Sequence, residues 1–103
     1  MKSTIVLLVL LIVSPVAHAS KECEFISDIA RGTMALRQAG AEMTFMHERA
    51  GAIENRNVRR VAQRLVLEAF ETPRFSSGHA RSRAGVDFGN KVFSECIRGK
   101  RRL

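Results

Sequence analysis

The sequence has 103 residues, 17 Lys or Arg against 10 Asp or Glu, and a formal net charge of +7. That length allows a single domain. With six Phe and no Trp or Tyr, the chain has few aromatic platforms for stacking bases, so its basicity does not by itself point to nucleic acid.

The chain opens MKSTIVLLVLLIVSPVAHAS. Lys2 supplies a positive start and residues 5–13 form an unbroken apolar run. Ser14 and Pro15 are read as helix breakers, and Ala17-His18-Ala19 places small residues where a signal peptidase reads them. This is the pattern of a secretory signal peptide over residues 1–19, with a mature domain over 20–103. The nine-residue run is far shorter than the roughly 20 residues of a membrane-spanning helix, so no transmembrane segment is expected after cleavage. A retained N-terminal anchor is the alternative. Lipidation at Cys23 does not fit, because Ser20-Lys21-Glu22 precedes it. Cleavage removes Lys2 and leaves 84 residues in which 16 bases face 10 acids, a net charge of +6.

So short a chain buries only about two-thirds of its unfolded surface and is marginal without a staple. Its two cysteines, Cys23 and Cys96, lie near the ends of the mature chain. In an oxidising compartment an isolated pair reads as a disulfide. The alternative, thiols acting as metal ligands or redox agents, lacks a CxxC spacing.

Hydrophobic spacing is helical almost throughout. A first helix is expected over residues 22–39, with Phe25, Ile26, Ile29, Ala30, Met34 and Leu36 on one face and Gly40 as its stop. A second is expected over 41–50, ended by Gly51. The third has Asn55 or Asn57 as its cap. Its apolar positions Val58, Val61, Ala62, Leu65, Val66, Ala69 and Phe70 recur at threes and fours until Pro73. Residues 73–85 are predicted to form the main loop, with Ser76 or Ser77 able to cap a fourth helix that carries Val86, Gly89, Val92, Phe93, Cys96 and Ile97 and ends at Gly99. Gly85 and Gly89, four apart, are expected to permit close helix approach, with Gly32 a candidate for the same part in the first helix. The fold class is therefore all-α: a small bundle of about four helices closed by Cys23–Cys96. An up-down-up-down course brings both cysteines to one end.

Three groups of side chains are candidates for function. Arg56, Arg60 and Arg64 line up at a spacing of four on the third helix, with Arg59 beside them. Like charges so placed repel by a few tenths of a kcal/mol per pair. The stripe is explained by pairing with Glu42, Glu48 and Glu54, by binding an anionic partner, or by solvation of long side chains over apolar surface. Arginine outnumbers lysine 13 to 4, which suits bidentate contact with carboxylate or phosphate. Lys100, Arg101 and Arg102 are expected to complement the negative end of the last helix. The second group, Met43, Met46 and His47, stands at i, i+3 and i+4, with Met34 able to approach. It would suit Cu(I), although methionine is also a common core filler. The third, Glu68 and Glu71 on one helix face, is read as balancing nearby arginines. Ser76 and Ser77 lie close to His79, but no nucleophile elbow, glycine-rich oxyanion loop, HExxH or CxxC accompanies them. No enzyme activity and no cofactor is expected.

Cys23, IARGTMALRQAG (29–40), VRRVAQRLVLEAFETP (58–73) and Cys96 together give a layout that resembles the small exported all-helical, single-disulfide proteins of Gram-negative bacteria, a group to which no common activity is assigned. The resemblance implies a periplasmic, disulfide-clasped helical domain and carries over no functional residues. A looser similarity is to periplasmic acid-stress chaperones, also small, helical and holding one disulfide. Here the cysteines lie nearer the chain ends, and the arginine bias has no counterpart in them. The expectation is a non-enzymatic periplasmic or secreted protein whose arginine face meets an acidic protein or anionic envelope surface. A soft-metal carrier and a cationic membrane-associated or chaperone-like protein are the alternatives.

Overall fold

The computed structural model describes the backbone of residues 2–103 and the side chains of residues 19–103. Four helices follow one another, α1 (Lys2–Gln38), α2 (Met43–Gly51), α3 (Arg56–Ala69) and α4 (Gly78–Ile97), so the all-α expectation holds. The signal-peptide assignment to residues 1–19 falls almost entirely on side chains outside those described. The backbone there is helical, and α1 crosses Ser14 and Pro15 without a break. A proline forfeits one intrahelical bond and crowds the preceding turn, so this continuation costs about 3 kcal/mol relative to alanine.

Contacts along the helices fix their directions. Cys23 meets Cys96, the Ser27 hydroxyl donates to the Gly89 carbonyl at 2.9 Å, and the Arg31 side chain lies over Gly89. α1 and α4 are therefore antiparallel. Ile29 packs near Ala62 and Val66 while the Arg37 guanidinium lies 4.4 Å from the Phe70 ring centroid, so α3 runs parallel to α1. α2 and α3 form an antiparallel hairpin through Met46, Ala50, Ala62 and Val66. The course is up, down, up, down. α1 is the central element, packed on α4 on one side and on α3 on the other, while α2 packs on α3 rather than on α1.

Two apolar clusters result. The larger contains Cys23, Ile26, Ala30, Met34, Leu65, Phe88, Val92 and Cys96. The smaller is Met46, Ala50, Ala62 and Val66. Cys23 and Cys96 are bonded at 2.04 Å with Cα atoms 5.5 Å apart, and both are fully buried. Of the three glycines expected to admit a neighbouring helix, Gly89 does so most closely. A Cβ there would lie 2.4 Å from Arg31 Cγ. At Gly85 it would meet only the Arg31 carbonyl at 3.9 Å, and at Gly32 it would meet nothing within 4 Å. Gly32 lies on the exposed side of α1, so its expected packing role is not realised.

The α3–α4 connection differs from expectation. Ser77 caps α4 by accepting from the Ala80 amide at 3.1 Å, so the helix already runs through residues 78–85. The true loop is short, and α1 holds it. Gln38, 2% exposed, donates through Nε2 to the Pro73 carbonyl and accepts from the Phe75 amide, both at 2.9 Å. Arg74 Nε donates to the Gln38 carbonyl at 2.8 Å, Arg37 Nε to the Thr72 carbonyl at 3.3 Å, and Arg81 Nε to the Phe75 carbonyl at 2.6 Å. Gly40, at φ +98°, turns the chain out of α1 directly under the Arg74 guanidinium.

Two stability predictions follow from these contacts. Closing a span of 73 residues contributes up to about 4 kcal/mol through the unfolded state. A Cys23→Ser/Cys96→Ser double variant is expected to unfold at clearly lower urea concentration, whereas reductant should move the wild-type midpoint but not that of the variant. Gln38→Ala leaves the Phe75 amide and Pro73 carbonyl without their buried partner, a cost of about 2 kcal/mol. Thermal denaturation should show a melting temperature roughly 10 °C lower, while Ala39→Ser at the neighbouring exposed position should be near neutral.

Candidate functional site

The arginine stripe is positioned by the most amphipathic of the helices. The Asn55 side chain caps α3 by accepting from the Val58 amide at 3.0 Å. Ala62, Leu65, Val66 and Ala69 are then buried, which turns positions 56, 60 and 64 outward. The helix ends at Ala69, earlier than Pro73 requires, and Glu71 and Thr72 continue in tight turns through amide bonds to the Glu68 and Ala69 carbonyls.

Arg56, Arg60 and Arg64 are all exposed. The acids expected to pair with them do not. Among the described residues, ion pairs join Arg83 to Asp87, Arg101 to Glu68 and Glu95, and Arg102 to Glu22. Glu42, Glu48 and Glu54 take no part, so internal neutralisation by those residues does not explain the stripe. Arg59 differs from its neighbours. It is half-buried, and its Nη1 donates to the Ile53 carbonyl at 3.0 Å, tying the α2–α3 connection to α3. The outward ridge therefore consists of Arg56, Arg60 and Arg64.

The C-terminal tail extends this ridge. After α4 the chain turns at Gly99, φ +81°, and its tail reaches α3 through Arg101. Leu103 packs on the larger core cluster. Arg101, its side chain only 11% exposed, makes a two-pronged contact with Glu68, one prong at 2.6 Å, and donates through Nε to Glu95 at 3.0 Å. Its expected part in complementing the helix end is thus replaced by a bridge between α3 and α4. A small depression of about 60 Å³ lies beside it, lined by Val61, Arg64, Lys100, Arg101 and Arg102. Arg101 is neutralised by its acids and Arg102 lies 3.9 Å from Glu22. Lys100 and Arg64 have no ion-pair partner within 4.0 Å among the described residues and add to one electropositive strip. Sequence separation hides this strip, because Arg64 and Lys100 are joined only by the turn at Gly99.

Met43, Met46 and His47 are divided between the core and the surface. Met46 is 4% exposed within the smaller core cluster. Met43 and His47 line a different surface depression with Thr44, Glu48 and Leu67. Met34 is buried in the larger cluster with Gln38 Nε2 3.7 Å from its sulfur. Among the described residues, no group of three or more His, Cys, Asp or Glu is placed to hold a metal ion. Between α3 and α4 a cleft of about 270 Å³ presents Glu68, Glu71 and Asp87 together with Lys91. Glu68 is committed to Arg101 within it.

Hydrogen bonding from the Arg101 guanidinium is the main cause that holds the Glu68 carboxyl below its ordinary value, aided by the Arg101, Lys91 and Arg64 charges and opposed by burial. A carboxyl depressed in the folded state contributes stability that is present above its unfolded pKa and is lost as pH falls through the folded value. Wild type should therefore lose stability progressively below about pH 4.5. Glu68→Gln should be less stable at neutral pH and show a shallower acid limb in urea midpoints measured from pH 3 to 7.

Among the described residues no helix is long and apolar enough to cross a membrane. No protein-family model, curated protein or solved structure matches the chain.

Proposed function

We propose that this protein is a non-enzymatic, exported interaction module, acting in the periplasm or outside the cell, that engages an anionic partner through the ridge Arg56, Arg60 and Arg64. The observation that carries this reading is the exposure of three aligned guanidiniums with no acid within ion-pair distance among the described residues. Three like charges in a row repel in the free protein, and a carboxylate- or phosphate-bearing partner would relieve that repulsion. Guanidinium is suited to both groups because its fork matches their geometry. The export part rests on the leader pattern of residues 1–19 and on a disulfide that belongs in an oxidising compartment. The partner is an acidic protein or the anionic envelope surface, reached by steering that depends on ionic strength.

The test is recovery of partners on immobilised protein from a periplasmic extract, with vesicles of anionic lipid as a parallel arm, each at low and moderate salt. Arg56→Glu/Arg60→Glu/Arg64→Glu should abolish capture in whichever arm succeeds, with binding already weakened by salt in wild type. Arg59→Lys should have little effect on capture and act on stability instead. Capture unchanged by the triple reversal, or by salt, defeats the proposal.

A further inference from the structure

A second surface lies on the opposite flank of α3 from the tail, where α1, α2 and α3 leave a groove of about 470 Å³. The volume falls within the range of small-ligand sites. Its floor is Met46, Ala62 and Val66, with Ile29 and Ile53 along its length. Leu36 and Phe45 form opposite rims and are 53% and 55% exposed, as are Leu67 and Ile97 elsewhere on the surface at 51% and 50%. The polar groups are few. Thr33 is buried and its hydroxyl already donates to the Ile29 carbonyl at 2.7 Å, so the floor does not require a polar ligand group. Arg49 is the only charged lining residue. Its guanidinium lies 5.8 Å from the Phe45 ring centroid and has no ion-pair partner among the described residues.

A long apolar trough with one cation at its rim and no lining carboxylate is complementary to an apolar chain ending in one negative charge. We propose that this groove binds a free long-chain carboxylate. Its alkyl chain would lie between Leu36 and Ile53 over Met46 and Val66, and its head would pair with Arg49. A neutral chain would gain the same apolar burial but not the ion pair. A short anion would gain the ion pair alone, which is weak while open to water. The site is distinct from the arginine ridge and does not depend on the ridge having a partner.

The experiment is an NMR titration of ¹⁵N-labelled protein with decanoate below its micelle concentration, beside decanol and acetate. Decanoate is expected to saturate one site, with amide shifts concentrated around Leu36, Phe45, Arg49 and Ile53. Decanol should bind about fivefold more weakly, the upper end for a solvent-accessible ion pair, and acetate should not saturate. Arg49→Gln should lower decanoate affinity to the decanol level without changing decanol. Leu36→Ser, at an exposed position that the fold tolerates, should weaken both. The Arg56/Arg60/Arg64 reversal should leave decanoate binding intact. The inference is overturned by absence of saturation, by shifts centred elsewhere, or by equal binding of decanoate to wild type and Arg49→Gln. It is also overturned if the same amides respond to protein concentration instead of ligand, which would make the groove a self-association face.

Discussion

Everything in this fold depends on the seam between α1 and α4. It is the most extensive helix pairing in the molecule, and three contacts set its register: the Cys23–Cys96 bond, the Ser27 hydroxyl on the Gly89 carbonyl, and Gly89 beneath Arg31. The last two are interdependent. Glycine at 89 leaves room for the Arg31 side chain, and the approach that results brings the Ser27 hydroxyl within bonding distance of the Gly89 carbonyl. The disulfide acts in a different way, by restricting the unfolded chain over a 73-residue span. A domain with one modest core and a smaller satellite needs that help, because its surface is large relative to what it buries. α3 is held against the finished seam by Leu65 and Ala69, and α2 packs chiefly on α3.

The tail performs an analogous task by electrostatics. Arg101 is nearly buried, and burying a lone guanidinium would be costly. Glu68 from α3 and Glu95 from α4 supply the charges that make the position tolerable, so one cation fixes two helices that otherwise touch lightly. The arrangement has a consequence for the surface. Glu68 stands four residues beyond Arg64 and would be its natural helical partner, but its oxygens are turned to Arg101. Arg64 is left facing solvent, with Lys100 brought beside it by the same tail. The Arg64 end of the positive ridge is therefore a by-product of how the interior charge is satisfied as well as of composition.

Features written in local periodicity were legible from the sequence. α3 could be read from its threes and fours, its cap to within Asn55 or Asn57, the helix stops from Gly40 and Gly99, and the clasp from two cysteines at opposite ends of a helical chain. Features that depend on which helix meets which were not. Gly32 and Gly89 look alike in sequence, and only the neighbour across the seam distinguishes them. Arg59 looks like a member of the stripe until the Ile53 carbonyl, six residues earlier, accepts from it. Residues 73–85, rich in Ser, Arg and Gly, read as loop from composition. Capping by Ser77 and packing of Ala84 against the core make residues 78–85 helical. Gln38 gave no signal at all, since a glutamine near a helix end is ordinarily solvated, and its role appears only when the α3–α4 connection lies against it.

The helix lengths explain why Leu36, placed on the apolar face of the first helix by its spacing, and Phe45 on α2 are exposed. α2 has nine residues and α3 fourteen, or about 13 and 21 Å of helix. A helix of only two and a half turns that packs on α3 cannot also cover the flank of α1 that carries Ile29, Thr33 and Leu36. Moving α2 toward α1 would close the groove but pull Met46 and Ala50 away from Ala62 and Val66, and the Arg59 bond to Ile53 opposes that shift by anchoring the connection to α3. Burying Leu36 by other means would require a longer α2, yet Gly51 and the turn at Ala52 and Ile53 end it where α3 must begin. The exposed apolar strip is thus imposed by the same short hairpin that seats the arginine helix.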